Sequence, residues 1–336
     1  MRISLRWVVL VQCVMIMGLL VALFSGFYDA KPNVAYKIKN ESYSGLLSPR
    51  VYAGLLEPKS YLIVNYGPLR DVVSSYIEDN HLNVSVYVVN MRDGASMSIN
   101  GNQKYVPASL SKVPLAILIL KRVEEGELSL DQEVEITSED RVTSWGDLYK
   151  TTQQKVTIRF LLEKMLRDSD NTAFLVLNRY KKNDEFTILL RNYLGYYVQT
   201  KENSTLEAAQ MVTVRSLYSV FSSLYLSTIL DPQDSEYILS LLSNTTFDVN
   251  TAYTLPPEVK VSHKFGALYN NNDEKYFHDC GIIYMGVKRV FYCVMTKDLD
   301  EKQAVNTIGL IVKNIYLFTD EVSKGLEDYK NNQNNS

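Results

Sequence analysis

Two apolar runs joined by a short turn lie near the end of the chain, and they constrain its fold more than any other segment. Residues 277–285 and 289–296 are rich in β-branched and aromatic side chains, and Gly286 and Val287 stand between them. Such runs predict strands, and a glycine at the first central position suits a two-residue type II′ hairpin loop. The sequence therefore predicts an antiparallel sheet in which these strands are neighbours.

The same turn predicts which residues face each other across the hairpin. If Met285 faces Lys288, counting outward from the turn places Cys280 opposite Cys293 in a non-hydrogen-bonded pair. Such pairs bring Cα atoms to about 4.5 Å, within the disulfide range. We expect the two cysteines to lie close together, either as a disulfide or as a pair of buried free thiols.

The rest of the chain alternates between strand and helix patterns. An early hairpin is expected over 84–89 and 95–100, and a further late strand over 259–265. Helices are expected from Pro68, after Ser109, and over three later ranges, namely 157–168, 205–230 and 302–318. Because strands at both ends of the sequence enclose many helices, we predict an α+β fold: an antiparallel sheet flanked by helices, with an all-helical subdomain.

An uncharged run near the N-terminus predicts the compartment. Residues 7–27 carry no charge, and Arg2 and Arg6 precede them. As a helix, this run is long enough to span a bilayer core of about 30 Å. The positive-inside bias then predicts a single transmembrane helix with the remainder outside the cytoplasm. The alternative is a cleaved signal peptide, but bulky residues occupy most candidate cleavage positions. We expect an anchor at 1–28, a tether at 29–67, a folded domain at 68–320 and a disordered tail at 321–336.

Charge and histidine content exclude several classes of function. The 35 Lys+Arg against 38 Asp+Glu provide no basic excess for a nucleic-acid partner. The three histidines are His81, His263 and His278, and they argue against a multi-histidine metal site, so we expect no metal and no cofactor. His278 and Asp279 are adjacent on a strand and point to opposite faces, which prevents a relay between them.

One short motif is typical of nucleophilic catalysis. Ser109-Leu110-Ser111-Lys112 is the only S-x-x-K in the chain, and it stands where a proline-containing loop enters a helix. Positions i and i+3 share a helix face, so Lys112 would reach the Ser109 hydroxyl and, with a depressed pKa, act as its base. The alternative is an N-cap serine followed by a surface lysine.

Two later segments complete a pattern. Ser169-Asp170-Asn171 follows an amphipathic helix and would alternatively serve only to cap or end it. Lys264 lies on a predicted strand two residues before Gly266, and a glycine there leaves room for a ligand to approach the backbone.

Together, these three segments resemble the S-x-x-K, S-D-N and K-T-G signature of class A β-lactamases and penicillin-binding proteins. The resemblance covers residues 68–320 and implies that Ser109, Lys112, Ser169 and Lys264 are catalytic. Ser109 would attack a carbonyl, Lys112 would accept its proton, and Ser169 would relay a proton to the leaving nitrogen. It also implies substrate contacts at Asn171, Phe265, Gly266 and Ala267, with the backbone N–H groups of Ser109 and Ala267 forming an oxyanion hole.

The sequence departs from that signature at two places. The third motif reads Lys264-Phe265-Gly266, so the hydroxyl that binds the substrate carboxylate in the family is missing. The Glu-x-x-Leu-Asn loop, which activates the deacylating water in class A β-lactamases, has no counterpart in 172–204. Glu202 and Glu207 are the nearest carboxylates in sequence.

We therefore expect a membrane-anchored, extracytoplasmic serine hydrolase with a monomeric catalytic domain. It would form an acyl-enzyme on Ser109 with a β-lactam, a peptide amide or an ester. A penicillin-binding, DD-peptidase-like enzyme with slow deacylation and a peptidoglycan-like substrate is one alternative. A non-catalytic binding module on the same fold is the other.

Overall fold

The computed structural model describes Leu46 and residues 64–195, 197–198, 210–269 and 273–334. The predicted anchor at 1–28 and most of the predicted tether lie outside these residues. None of the helices in the described ranges combines the length and the apolar character that crossing a bilayer requires.

The strands are β1 (Val84–Asn90), β2 (Ser96–Ile99), β3 (Glu133–Glu135), β4 (Lys155–Thr157), β5 (Tyr197–Val198), β6 (Gln210–Met211), β7 (Lys260–Tyr269), β8 (Lys275–Met285) and β9 (Lys288–Lys297). The α-helices are α1 (Gly67–Asp79), α2 (Lys112–Glu124), α3 (Ile158–Arg167), α4 (Asn171–Asn178), α5 (Asn183–Ile188), α6 (Val214–Tyr225), α7 (Pro232–Leu242), α8 (Val249–Ala252) and α9 (Glu301–Asn334).

A five-stranded antiparallel sheet in the order β2-β1-β9-β8-β7 forms the centre of the domain. The predicted hairpin register is confirmed, since Met285 faces Lys288 and Cys280 faces Cys293. Gly286 has φ +56°, a conformation that glycine adopts without a steric penalty. The Cα atoms of the two cysteines lie 4.0 Å apart, and their sulfur atoms are bonded in the structure.

Each face of this sheet is covered by its own apolar core. Because side chains alternate along a strand, Val261, Phe265 and Phe277 pack on the face that α1 and α9 cover. Cys280 and Cys293 lie on the other face, against a larger core to which α2, α3, α4, α6 and α7 contribute. The predicted α+β architecture is confirmed, but the part between the early and late strands is not all-helical. Two short antiparallel pairs, β3 with β4 and β5 with β6, lie within it.

Three boundaries differ from the sequence predictions. Helix α6 begins only at Val214, because Thr213 caps it by accepting a hydrogen bond from the Ser216 backbone N–H. The final helix α9 continues to Asn334, so the expected disordered tail from 321 is wrong over the described residues. That segment contains no proline and one β-branched residue, a composition that permits a helix to continue. Leu46, which the predicted tether includes, is buried in the larger core.

Candidate active site

The predicted nucleophile lies in a tight turn at the start of α2. Ser109 belongs to the 3₁₀ turn Ala108–Ser111, and Ala108 has a left-handed φ of +49°. Such a conformation is uncommon for a residue with a side chain and is found at sites where the surroundings hold the backbone. A Cβ atom at Gly266 would lie only 3.2 Å from the backbone nitrogen of Ser109. The glycine thus lets β7 approach the serine closely.

Lys112 is buried behind this turn and donates to three oxygen atoms. Its Nζ lies 2.6 Å from Ser169 O, 2.6 Å from Asn171 Oδ1 and 3.2 Å from Ser169 Oγ. Burial, followed by the neighbouring charge of Lys264, holds the pKa of Lys112 well below its ordinary value, against the opposing effect of Asp170. A neutral Lys112 would keep its hydrogen bonds to Ser169 O and Asn171 Oδ1. Its lone pair would then face Ser169 Oγ.

The expected contact between Lys112 and Ser109 does not form. In the described part of the chain, no hydrogen bond joins these two residues, although they lie three positions apart. The carbonyl of Ser169 and the amide of Asn171 attract the ammonium group more strongly than a hydroxyl, because both oxygens are pure acceptors. The Ser109 hydroxyl therefore remains available to a molecule in the cavity.

Ser169 connects the two lysines. Its Oγ accepts from Lys264 Nζ at 2.9 Å as well as from Lys112, so its own hydrogen is free for another acceptor. Lys264 also donates to its neighbour Phe265 O at 2.9 Å. Burial lowers the pKa of Lys264 to about 8, although the charge of Asp279 opposes this shift. The Ser169 hydroxyl thus lies within hydrogen-bond distance of both Lys264 and Lys112, whose amino groups have lowered pKa values.

The start of α4 holds Ser169 and Asn171 in place. Asp170 caps this helix by accepting from Ala173 N at 2.9 Å, and its second oxygen accepts from Leu148 N at 2.8 Å. Ser169, just before the cap, has φ +55°. Gly146 packs so closely on Asp170 that an added Cβ would lie 2.0 Å from the carboxylate. The capping interpretation of this motif is therefore correct for Asp170, while Ser169 and Asn171 contact the lysines.

Ser109 lines two cavities. The larger, of about 450 Å³, is bounded by the start of α2, one face of α4 and the end of β7. The smaller, of about 160 Å³, contains Ser169, Lys264 and Arg167. Ala267 borders both cavities, as an oxyanion-hole residue beside Ser109 would.

Phe265 stands at the position in the third motif where the family signature has a residue with a hydroxyl. Its ring stacks on Phe247 with centroids 4.6 Å apart and planes at 12°. It lines the smaller cavity, so this wall is aromatic. The larger cavity has no carboxylate among its described lining residues, and Glu202 and Glu207 lie outside the described ranges.

Sequence reasoning missed three residues of the site. Ser144 Oγ accepts a hydrogen bond from Asn171 Nδ2 at 2.7 Å, Trp145 is 52% exposed and lines both cavities, and Arg167 lines the smaller one. The signal that could have found two of them is a lone tryptophan between Ser144 and Gly146 in a polar loop. Arg167 had no comparable signal, since a basic residue at a helix end usually serves only the helix dipole.

Histidines lie near the site without forming a metal centre. His263 Nδ1 lies 2.9 Å from Asp279 Oδ1, and its Nε2 lies 2.9 Å from Thr245 Oγ1. His278 points to the other face, where its Nε2 lies 2.9 Å from Val106 O, so the prediction of opposite faces for His278 and Asp279 is confirmed. Among the described residues, no group of three metal-ligating side chains occurs.

Comparisons with known proteins agree with this geometry. The curated β-lactamase VEB-1 of Pseudomonas aeruginosa is 20% identical over 268 residues, which cover 73% of this chain and 89% of that protein. Among solved structures, PBP-A has a TM-score of 0.68 at 18% identity, covering 77% of this chain and 98% of that one. A β-lactamase from Chitinophaga pinensis has a TM-score of 0.65 at 20% identity, covering 74% of this chain and 100% of that one. The model of the Beta-lactamase enzyme family matches residues 68–318, and the chain therefore belongs to this family of serine hydrolases.

Proposed function

We propose that this protein is an extracytoplasmic, membrane-anchored acyltransferase or hydrolase that forms an acyl-enzyme on Ser109. Its substrate would be a β-lactam, a peptide amide or an ester, with a peptidoglycan-like peptide as the natural candidate. The observation that carries the proposal is the bonded group of Lys112, Ser169, Asn171 and Lys264 beside an unbonded serine hydroxyl. A binding module would have no need of two buried lysines of lowered pKa.

The geometry supports an acylation step in which Lys112 acts as the base. Neutral Lys112 takes the Ser109 proton through Ser169 Oγ, which its Nζ contacts, while Ser109 Oγ bonds to the carbonyl carbon. The carbonyl oxygen gains negative charge, and the backbone N–H groups of Ser109 and Ala267 would stabilise it. The proton then returns from Lys112 through Ser169 Oγ to the leaving nitrogen, and the C–N bond breaks.

We further propose that deacylation is slow. The larger cavity has no carboxylate among its described lining residues that could activate a water molecule. Loss of general-base assistance typically lowers a rate by ~10²–10⁴-fold. A solved structure of a PBP-A mutant is an acyl-enzyme complex with penicillin G, which supports a long-lived adduct as an outcome available to this fold. A penicillin-binding, DD-peptidase-like activity is therefore favoured over efficient β-lactam hydrolysis.

The proposal of a membrane anchor depends on the sequence of residues 7–27 alone. It predicts that the full chain, expressed in bacteria, sediments with membranes and resists extraction by high salt but not by detergent. A chain that starts at residue 43 should be released into the soluble fraction. Release of the full chain by high salt, or its recovery without the first residues, would contradict an uncleaved anchor.

Labelling with a fluorescent penicillin followed by gel electrophoresis tests the proposed chemistry. The wild-type protein should carry a persistent label, and Ser109→Ala should carry none. The thermal transition should change little, because one hydroxyl at a helix start contributes about 0.5–2 kcal/mol. Ser111→Ala is the matched control, since it removes a hydroxyl two residues away, and it should retain the label.

Three outcomes of this experiment would contradict parts of the proposal. A label that persists on Ser109→Ala would exclude this serine as the nucleophile. Multiple turnovers per second by the wild type would contradict slow deacylation, and Glu202→Gln and Glu207→Gln would then locate the base. No label on a folded wild-type protein would exclude the proposed reaction with β-lactams and would leave an esterase or the binding module.

A further inference from the structure

We propose that the larger cavity binds the arm that the substrate carries next to the carbonyl that Ser109 attacks, here called the acyl part, and that this arm is bulky, apolar and uncharged. The inference depends on the proposed function, because only a molecule that Ser109 attacks places an acyl group here. It extends that function by naming the chemical class of the acyl donor. Three features of the cavity support it.

The first feature is the composition of the walls. Away from Ser109, the cavity is bounded by the apolar side chains of Val142, Phe174, Leu175, Phe186 and Leu268. Its volume of about 450 Å³ lies in the range of small-molecule sites, which are usually apolar with few polar groups. An aromatic or branched acyl group would fill such a space and remove its walls from water.

The second feature is the direction in which the walls extend from the nucleophile. Asn171, Phe174, Leu175 and Asn178 follow each other at i, i+3, i+4 and i+7 and therefore share one face of α4. Asn171 contacts Lys112, and Phe174 lies beside the same ammonium, 5.9 Å from Nζ to the ring centroid. An acyl group bonded to Ser109 would therefore run along this face towards Asn178.

The third feature is the distribution of charge between the two cavities. The described lining of the larger cavity contains no carboxylate, and its one basic side chain is Lys112, whose Nζ already contacts three oxygens. The smaller cavity is lined by Lys264, Arg167 and Asp168. The carboxylate of Asp168 is paired with Lys164 at 2.9 Å. A cationic group on the acyl part would lose water without gaining a counter-charge from the described lining, which is unfavourable in a buried site. We therefore expect an anionic group of the acyl donor to lie on the side of the smaller cavity, near Lys264 and Arg167.

Two penicillins that share a nucleus test this inference. One carries a phenylacetyl arm, and the other carries the same arm with an ammonium group on the carbon beside the carbonyl. We expect the wild-type protein to be acylated about 10-fold faster or more by the uncharged compound, measured as a second-order rate constant by intact-mass spectrometry. Equal rates, or a faster reaction of the ammonium compound, would overturn the inference. Failure of both compounds to react would instead count against the proposed function.

Matched variants locate the effect in this cavity. Asn178→Asp adds a carboxylate with almost no change in volume and should raise the relative rate of the ammonium compound about 10-fold. Asn178→Leu should keep or strengthen the preference for the uncharged compound. Val72→Asp adds the same charge at an exposed position on α1, which packs on the opposite face of the sheet, and should leave the ratio as in wild type. If Asn178→Asp and Val72→Asp change the ratio equally, the inference is wrong; if Asn178→Asp does not fold, the wild-type ratio still decides.

Discussion

At the scale of single residues, the two buried lysines must differ in protonation for acylation to proceed. Lys112 donates to Ser169 and Asn171, and burial favours its neutral form. Lys264 is close enough to donate to Ser169 Oγ, and its pKa of about 8 leaves it charged below that pH. A base and a cation thus contact one hydroxyl, which is an arrangement suited to moving a proton through Ser169.

This difference predicts a bell-shaped dependence of acylation on pH. The rate should rise with pH as Lys112 loses its proton, and it should fall above about pH 8 as Lys264 loses the charge that attracts an anionic penicillin. The second-order labelling rate, measured across the pH range, checks both limbs. Lys264→Arg should move the alkaline limb to higher pH, because a guanidinium stays charged.

Lys112→Arg is the matching test of the base. Arginine keeps a positive charge at all accessible pH values, so the variant should not be acylated, although it preserves the charge of the site. A normal labelling rate in this variant, or a rate that does not change through pH 8 in the wild type, would be incompatible with the assigned roles.

At the scale of elements, short contacts between a loop and a helix start hold the site. Gly146 has φ +98°, and Asp170 lies directly against it while capping α4. The loop before α4 therefore fixes the position of Ser169 and Asn171, and any side chain at residue 146 would displace the cap.

Gly146→Ala should lower the free energy of unfolding by about 1.5–4 kcal/mol, from loss of a cap together with left-handed backbone strain. It should also reduce labelling sharply, because Asn171 begins the displaced helix.

Gly94→Ala is the matched control: its φ is +76°, but no atom lies within 4 Å of the added Cβ. It should cost only about 1–2 kcal/mol and retain labelling. Urea denaturation and the labelling rate of both variants compare these effects; equal losses of labelling would contradict the role of the loop.

The hairpin of β8 and β9 carries a second prediction at this scale. Cys280 and Cys293 are opposite each other and separated by 13 residues in sequence, so a bond between them closes a short loop. A loop of this size contributes about 3 kcal/mol to the free energy of unfolding. Reduction should therefore destabilise the wild type by about this amount, while the double variant Cys280→Ala/Cys293→Ala should not respond to reductant. Non-reducing peptide mapping of protein from the membrane fraction should recover the two peptides joined. Recovery of two free thiols would contradict the disulfide, although the two cysteines would still be neighbours.

At the scale of the whole molecule, the folded unit extends beyond the stretch that resembles known enzymes. Leu46 lies more than twenty residues before α1, yet its side chain is buried in the larger core, and Tyr284 Oη donates to its backbone oxygen at 3.2 Å. The segment that links the predicted anchor to the domain thus contributes to the core at this residue.

Leu46→Ala should lower the free energy of unfolding by about 2–5 kcal/mol, the usual cost of truncating a buried leucine. Leu226→Ala is the matched control, because the same substitution at a residue that is 52% exposed should change stability by no more than about 0.5 kcal/mol. Thermal denaturation of both variants compares them. If the two transitions coincide, the contact at Leu46 does not stabilise the domain.

The sequence by itself determined the elements and identities that depend on local pattern. Strand alternation and the Gly286 turn predicted the register of β8 and β9. Three short motifs predicted Ser109, Lys112, Ser169 and Lys264 as the candidate catalytic residues, and the structure places Ser169 and Lys264 within hydrogen-bond distance. The register prediction is confirmed because a two-residue turn fixes the pairing of the strands that it joins.

Only the tertiary structure decided where side chains from distant segments point. It directed Lys112 to Ser169 and Asn171 rather than to Ser109, placed Ser144 and Trp145 at the site, and positioned Leu46 in the core. No local pattern encodes these contacts, because each one depends on how close two separately formed elements can pack. Gly266 against Ser109 and Gly146 against Asp170 are the points where that packing brings the candidate catalytic groups together.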